Sequence, residues 1–162
     1  MLRRWRLRRT HAGTYRFGLA DEERAILRQL LPQLRELVLS PPEATDDRIR
    51  RLFPTAYADD PEKDAEYQRL MRDELVQSRV EAIDRVEASL DSTELTEEEL
   101  IGWIQSVNAV RLVLGTMLDV SEDEQIEDVT RRFSPDDPAL HDYALYGYLS
   151  ALLDEMVSVL GE

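Results

Sequence analysis

Apolar residues recur every three or four positions along four long stretches of the chain, the spacing that places side chains on one face of an α-helix. The pattern predicts helices over residues 22–39, 61–90, 97–118 and 138–160. Shorter patterns of the same kind predict two short helices over residues 45–52 and 119–130. Thr96 followed by Glu99 forms a capping box, which marks the start of the third long helix.

Ahead of the helices the pattern changes to a strict alternation of apolar and polar residues, which is typical of β-strands. Thr10–Gly13 interrupts the alternation, with Gly where a tight turn needs a positive φ. The sequence therefore predicts a β-hairpin whose apolar face carries Trp5, Leu7, Tyr15 and Phe17. An isolated hairpin is marginally stable in water, so we expect this face to pack on the helices.

These elements predict a mainly α fold, with an N-terminal β-hairpin packed on a bundle of about four main helices plus two short helices. The length of 162 residues fits a single domain over residues 1–162. Pro32 interrupts the first helix, and we expect a kink or a break near Gln29. No apolar run reaches the roughly 18 residues of a membrane span, so we expect no membrane association and a cytoplasmic location.

Charge divides the chain into a basic β-hairpin over residues 1–20 and an acidic helical bundle over residues 21–162. The first segment holds six arginines and no acidic residue, whereas the second holds 14 basic and 34 acidic residues. The whole chain has a formal net charge of −14. An acidic body of this kind repels nucleic acids and anionic membranes, so the hairpin is the one segment that could attract either.

The arginines of the predicted hairpin lie on the face opposite its aromatic residues. Candidate nucleic-acid contacts on this face are Arg4, Arg6, Arg8 and Arg16. They could form a basic β-ribbon that binds DNA directly. The alternative, which we favour, is a solvated face that offsets the acidic body, because one hairpin supplies few phosphate contacts.

The third long helix is apolar almost all round, yet it contains Asn108 and Arg111. An unpaired polar group costs kilocalories when it is buried, so these two residues belong to a network or to a site. With Trp103 they predict a structural network, in which Asp73 of the preceding helix is a candidate partner for Arg111. The alternative is a binding or catalytic site in which Arg111 clamps a small anionic ligand.

Two groups of aromatic residues are candidates for a partner surface. One is Phe53 and Tyr57, in a proline-containing loop before the second long helix. The other is Tyr143, Tyr146 and Tyr148, in a last helix whose apolar arc is wider than one stripe. Tyrosine combines an apolar body with a polar tip, which suits an interface with another protein or a second copy of the chain. Each group also has a structural alternative. The loop with Phe53 and Tyr57 could form a lid over the edge of the core, and the three tyrosines of the last helix could be core residues.

Patterns for catalysis and metal binding are missing from the sequence. The chain has no cysteine, which excludes disulfides, thiolate catalysis and cysteine metal sites. Its two histidines, His11 and His141, lie in no metal-ligand spacing. Neither a phosphate-binding glycine loop nor a nucleophile elbow is present. We therefore expect a non-enzymatic protein without a cofactor or a metal.

Three motifs together resemble the actinobacterial domain-of-unknown-function family 2017 over essentially the whole chain. The motifs are Arg51-Leu52-Phe53-Pro54-x-Ala56-Tyr57-x-Asp59-Asp60-Pro61, Glu66-Tyr67-Gln68-Arg69-Leu70, and Trp103-x3-Val107-Asn108-x2-Arg111-Leu112-x-Leu114-Gly115. Members of that family often lie beside the gene for the ClpS protease adaptor. Some are described as the actinomycete oxidative-stress transcriptional regulator, which acts with a sigma factor and responds through a cysteine pair.

The resemblance implies a regulatory or adaptor protein that acts by protein–protein contacts, in stress-linked transcription or in Clp-linked proteolysis. Its implied partners are components of the transcription or Clp machinery. Because this chain has no cysteine, thiol oxidation cannot be its switch.

Overall fold

A computed structural model describes residues 7–40, 51–118 and 134–162. In chain order its elements are β1 (Arg8–Arg9), β2 (Tyr15–Arg16), α1 (Asp21–Val38), α2 (Pro61–Ser89), β3 (Glu94–Leu95), α3 (Glu97–Met117) and α4 (Ala139–Leu160). This mainly α architecture confirms the predicted fold class and its four main helices. The two predicted short helices lie outside the described residues, apart from Arg51 and Leu52, which form a turn.

The helix α3 occupies the centre of the bundle, where it packs against α2, α4 and α1. Its large side chains Leu100 and Trp103 are fully buried, and so is Val107 one turn further on. By length and composition α3 could cross a membrane. A central helix of a soluble bundle has the same composition, because it is covered on several sides by its neighbours.

The predicted capping box at the start of α3 is confirmed. The backbone N–H of Glu99 donates to Thr96 Oγ1 at 3.1 Å, and the N–H of Thr96 donates to Glu99 Oε2 at 2.8 Å. At the start of α2 the carboxylate of Asp60 accepts a hydrogen bond from the N–H of Lys63 at 3.1 Å. Local sequence signals therefore fix where both helices begin.

The predicted break in the first helix is wrong, because α1 runs without interruption through Pro32. Proline in a helix interior removes one backbone hydrogen bond and costs about 3 kcal/mol. The buried stripe of α1 continues on both sides of this residue, at Arg24, Leu27, Leu31, Leu34 and Val38. Burial of these side chains against the bundle holds the helix together in spite of the proline.

The predicted hairpin is present, and a third strand extends it. β1 pairs with β2 in antiparallel fashion, and β2 pairs with β3 in the same way. Tyr15 and its cross-strand neighbour Leu95 are both buried. The ring of Phe17 meets the indole of Trp103 edge-on, with 4.8 Å between centroids. As predicted, the apolar face of the hairpin packs on the helices.

Candidate functional site

Asn108 and Arg111 form one hydrogen-bonded network with Tyr146 of α4. Arg111 Nη2 donates to Asn108 Oδ1 at 3.0 Å, and Arg111 Nη1 donates to the hydroxyl of Tyr146 at 3.3 Å. The guanidinium carbon lies 5.9 Å from the centre of the Tyr146 ring, within the range of a cation–π contact. The two α3 residues therefore fasten α3 to α4.

The structure does not bring Asp73 into this network. Asp73 is exposed on α2, and Arg111 forms no salt bridge among the described residues. The Nε atom of Arg111 is buried and makes no hydrogen bond. The expected ion pair is thus replaced by two neutral acceptors, which leave the positive charge of Arg111 without a carboxylate beside it.

A second guanidinium approaches α3 one turn further on, at Gly115. A Cβ atom on this glycine would lie 2.9 Å from Arg51 Nη1 and 3.1 Å from Tyr146 Cε2. Any larger residue would displace one of these groups, so Gly115 allows Arg51 and Tyr146 to reach the helix together. The sequence pattern of α3 did not identify Arg51 as a neighbour of Gly115.

Trp103 joins three parts of the molecule and is buried throughout. Its Nε1 donates to Ser89 Oγ of α2 at 2.8 Å, and the Ser89 hydroxyl donates to the Arg85 carbonyl at 2.6 Å. At the adjoining Gly102, a Cβ would lie 3.2 Å from Arg85 Cβ. Trp103 therefore stabilises the contact of α3 with α2 and with the hairpin segment that contains Phe17.

Phe53 is buried in the loop before α2, and two guanidinium groups flank it. The guanidinium carbons of Arg72 and Arg79 lie 4.3 and 5.6 Å from the ring centre. The Nη2 atom of Arg79 also donates to the Leu52 carbonyl at 2.6 Å. Phe53 thus anchors the loop on α2 and offers no surface to a partner.

Tyr57 remains 38% exposed at the end of this loop. Its ring packs edge-on against Tyr67 of α2, with 6.0 Å between centroids. The carboxylate of Asp64 accepts hydrogen bonds from the N–H groups of Ala56 and Tyr57 at 2.7 and 3.1 Å. The loop is therefore tied to the first turns of α2, and Tyr57 is its accessible aromatic residue.

Two of the three candidate tyrosines of α4 belong to the core. Tyr143 and Tyr146 are buried, and the Tyr143 hydroxyl donates to the Leu118 carbonyl at 2.8 Å, at the C-terminal end of α3. Tyr148 is half-buried at the edge of α4 that faces α1. Of these tyrosines, Tyr148 is therefore the one that remains partly accessible.

A groove with both apolar and polar side chains runs between α1 and α4, with α3 as its floor. It consists of two adjoining hollows of about 480 and 410 Å³. Its apolar lining includes Leu30 and Leu37 from α1, Val113 and Met117 from α3, and Leu145 and Tyr148 from α4. Its neutral polar lining comes from Gln29, Gln33, Ser40 and His141. The acidic residues Glu23, Glu36 and Asp142 lie along its rim. We call this feature the α1–α4 groove.

A smaller cleft of about 280 Å³ lies between α1, α2 and α3. Its polar lining is formed by Ser78 and Arg79 from α2 and by Gln105, Ser106 and Asn108 from α3. Burial lowers the pKa of the Arg79 guanidinium from its usual value. We call this feature the Arg79 cleft.

Sequence reasoning missed Arg79, although the sequence holds a signal for it. Arg79 lies seven residues before the buried Val86, and therefore on the face of α2 that packs on the bundle. Arg24 shows the same signal on the buried stripe of α1, where its Nη1 donates to the Leu90 carbonyl at 2.6 Å. An arginine on a buried stripe is thus a candidate for a structural or ligand-binding role.

The described hairpin arginines stand beside an acidic residue. Arg8 and Arg16 are exposed and lie opposite each other, and Glu94 of β3 lies opposite Arg16 on its other side. The Glu94 carboxylate accepts a hydrogen bond from the Thr14 hydroxyl. The remaining candidates, Arg4 and Arg6, lie outside the described residues. The exposed face is thus of mixed charge where it can be described.

The histidines show no arrangement for catalysis or metal binding. His11 and His141 are both exposed. Over the described ranges, no group of three or more histidine, aspartate and glutamate side chains could hold a metal ion.

Comparison with known proteins gives a family. No curated protein and no solved structure matches the chain. The family model described as "Domain of unknown function (DUF2017)" matches residues 2–160. This match spans the hairpin, the loop of Phe53 and the network of Asn108 and Arg111, and so the chain belongs to the DUF2017 family.

Proposed function

We propose that this protein is a non-enzymatic regulatory or adaptor protein that binds a helix of a partner protein in the α1–α4 groove. The observation that carries the proposal is an open groove between two long helices, with the apolar side chains of Val113 and Met117 on its floor. Met117 on this floor is 57% exposed. Apolar side chains grouped together and rimmed by polar residues are typical of a surface that binds another protein.

The shape and charge of the groove indicate the kind of partner. Two flanking helices with an apolar floor between them suit an amphipathic helix, whose apolar side chains repeat every three or four residues. The acidic rim of Glu23, Glu36 and Asp142 favours basic residues along the edges of that helix. The partner is therefore an amphipathic helix with basic flanks.

The family resemblance supplies the setting of the proposal. We place this activity in stress-linked transcription or in Clp-linked proteolysis, in the cytoplasm. The input differs from thiol oxidation, because the chain contains no cysteine.

The test compares two exposed apolar residues, one in the groove and one outside it. Met117→Glu places a charge on the groove floor, whereas Leu70→Glu makes the same change at a site on α2 that is 67% exposed. We expect wild type and Leu70→Glu to recover RNA polymerase or Clp components from extracts of the source cell, and Met117→Glu to lose them. Recovery of neither by wild type, or undiminished recovery by Met117→Glu, contradicts the proposal.

Direct DNA binding through the hairpin is the alternative. The exposed pair of Arg8 and Arg16 supports it, and the neighbouring Glu94 weighs against it because a carboxylate repels phosphate. An anionic-ligand site at Asn108 and Arg111 is a weaker alternative, since two protein acceptors already occupy the guanidinium.

A further inference from the structure

The Arg79 cleft contains a positive charge that no acidic side chain compensates. Arg79 forms no salt bridge within the described ranges, and its Nη2 atom donates to the neutral Leu52 carbonyl. Its Nε atom is buried and makes no hydrogen bond. A half-buried cation without a carboxylate beside it is partly desolvated, and an anion placed beside its Nε atom would offset that cost.

Across the cleft, Ser106 supplies a second unused polar group. Ser106 is 2% exposed, and its hydroxyl makes no hydrogen bond. Elsewhere in the bundle such hydroxyls bond to the preceding turn, as Thr116 Oγ1 does to the Leu112 carbonyl at 3.0 Å. Buried polar groups are nearly always paired, and the unpaired hydroxyl of Ser106 belongs to the same cleft as the unpaired Nε of Arg79, so that one ligand would pair both.

The remaining walls of the cleft are apolar and leave room for a small molecule. They are formed by Leu34, Val38, Leu75, Ala82, Ile83 and Ala109. A volume of about 280 Å³ lies just below the usual range of ligand sites, roughly 300–1,000 Å³. The site is thus too small for a nucleotide and fits a compact ligand with one charged end.

We propose that the Arg79 cleft binds a small carboxylate with a short aliphatic body. Its carboxylate takes the Nε donor of Arg79 and the hydroxyl of Ser106, and its aliphatic part lies against α1 and Ala82. Guanidinium and carboxylate pair with good geometry, which favours this ligand class over a spherical anion. This site is separate from the α1–α4 groove and does not depend on the function proposed for it.

Hexanoate is a suitable probe, and hexanamide is its neutral control. We expect hexanoate at millimolar concentration to release or absorb heat on titration into the full chain and to raise its thermal midpoint, and hexanamide to do neither. In two-dimensional NMR, the amide signals of Ser106 and Asn108 shift with hexanoate. An absence of response to hexanoate, or an equal response to hexanamide, overturns the proposal. A response to inorganic phosphate alone overturns the assignment to a carboxylate.

Variants locate the site. Arg79→Gln weakens hexanoate binding about tenfold or more, because a charge-assisted hydrogen bond is lost, and Ser106→Ala weakens it by a smaller factor. Arg69→Gln, at an exposed arginine of the same helix, leaves binding unchanged. If Arg79→Gln fails to fold, Ser106→Ala and the NMR shifts decide the question. Binding that survives in both cleft variants overturns the proposal.

Discussion

The indole of Trp103 illustrates how single polar atoms hold the described core together. Its N–H has one acceptor, Ser89 Oγ at 2.8 Å, in a region that excludes water. Arg24 has a comparable role, since its guanidinium donates to the Leu19 and Leu90 carbonyls at 3.3 and 2.6 Å. A cation that donates to the carbonyls at a helix C-terminus also stabilises the helix dipole, so Arg24 secures the end of α2.

Substitution of Ser89 by alanine removes the acceptor of the Trp103 indole. The buried N–H then has no partner, and we expect the free energy of unfolding to fall by about 1–3 kcal/mol. Urea unfolding followed by tryptophan fluorescence measures the loss. Ser158→Ala, at an exposed serine of α4, serves as the control and changes stability by less than about 0.5 kcal/mol. Equal stability of the two variants would show that the indole does not need Ser89.

Glu155 gives a prediction about pH. Burial raises the pKa of its carboxyl group, and a hydrogen bond from the Leu7 backbone offsets part of this rise. The folded state therefore favours the protonated form of Glu155. The stability that this carboxyl group contributes is fully present below its pKa in the unfolded chain, and it is lost as the pH rises through its pKa in the folded state. We therefore expect Glu155→Gln to be more stable than wild type at pH 7, with a difference that shrinks as the pH falls toward about 4.

The measurement for Glu155 is a series of urea midpoints between acidic and neutral pH. Asp154→Asn removes one acidic charge at the adjoining exposed position and controls for net charge. A stability difference between Glu155→Gln and wild type that stays constant with pH is incompatible with the raised pKa.

At the scale of elements, local signals account for what the sequence predicts and tertiary contacts account for what it misses. Helical periodicity and the Thr96 cap lie within a few consecutive residues, so the bounds of the four helices follow from them. β3 has two residues, and its pairing with β2 depends on residues about 80 positions away. The continuity of α1 through Pro32 likewise follows from packing against the bundle.

Pairings between side chains on different elements are the part of the site that the sequence does not determine. Asn108 and Arg111 were predictable as a network because both lie in an apolar helix. Their partner was predicted on α2, whereas the structure supplies Tyr146 from α4. Which of these partners Arg111 meets depends on how α3 is rotated relative to α2 and α4. Periodicity in the sequence predicts the buried face of a helix, but it does not predict which helix packs against that face.

The β-sheet gives a prediction about DNA. Because Glu94 adjoins Arg16 on the exposed face, we expect no retardation of duplex DNA in a gel-shift assay at low salt, where electrostatic binding is strongest. Retardation that Arg8→Ala with Arg16→Ala abolishes would contradict this expectation and restore the DNA-binding alternative. Arg28→Ala with Arg69→Ala removes the same charge from exposed helix positions and is the matched control.

For the molecule as a whole, α3 is the wall shared by the two candidate binding sites. Ser106 and Asn108 face the Arg79 cleft, and Val113 and Met117 form the floor of the α1–α4 groove. Asn108 is also the acceptor of Arg111, which bonds to Tyr146 of α4. A ligand that contacts Asn108 therefore acts on the same hydrogen-bond network that fastens one side of the groove.

Net charge opposes self-association through the groove. Two copies of a chain with a formal charge of −14 repel each other, and the acidic groove rim meets more acidic surface in a second copy. The Debye length shortens from roughly 30 Å at 0.01 M salt to about 10 Å at 0.1 M, so added salt weakens this repulsion and leaves the apolar attraction. We expect a monomer at low salt and, at protein concentrations of tens of micromolar or more, self-association that increases with salt.

Sedimentation velocity at several salt concentrations tests this expectation, with Met117→Glu and Leu70→Glu as the paired variants. Met117→Glu should abolish the salt-induced association, because it places a charge on the apolar floor, and Leu70→Glu should retain it. A dimer that is stable at low salt and dissociates as salt is added would require opposite charges across the interface. Such a dimer would use the basic hairpin of one copy against the acidic bundle of the other, and the groove would then remain open to a different protein.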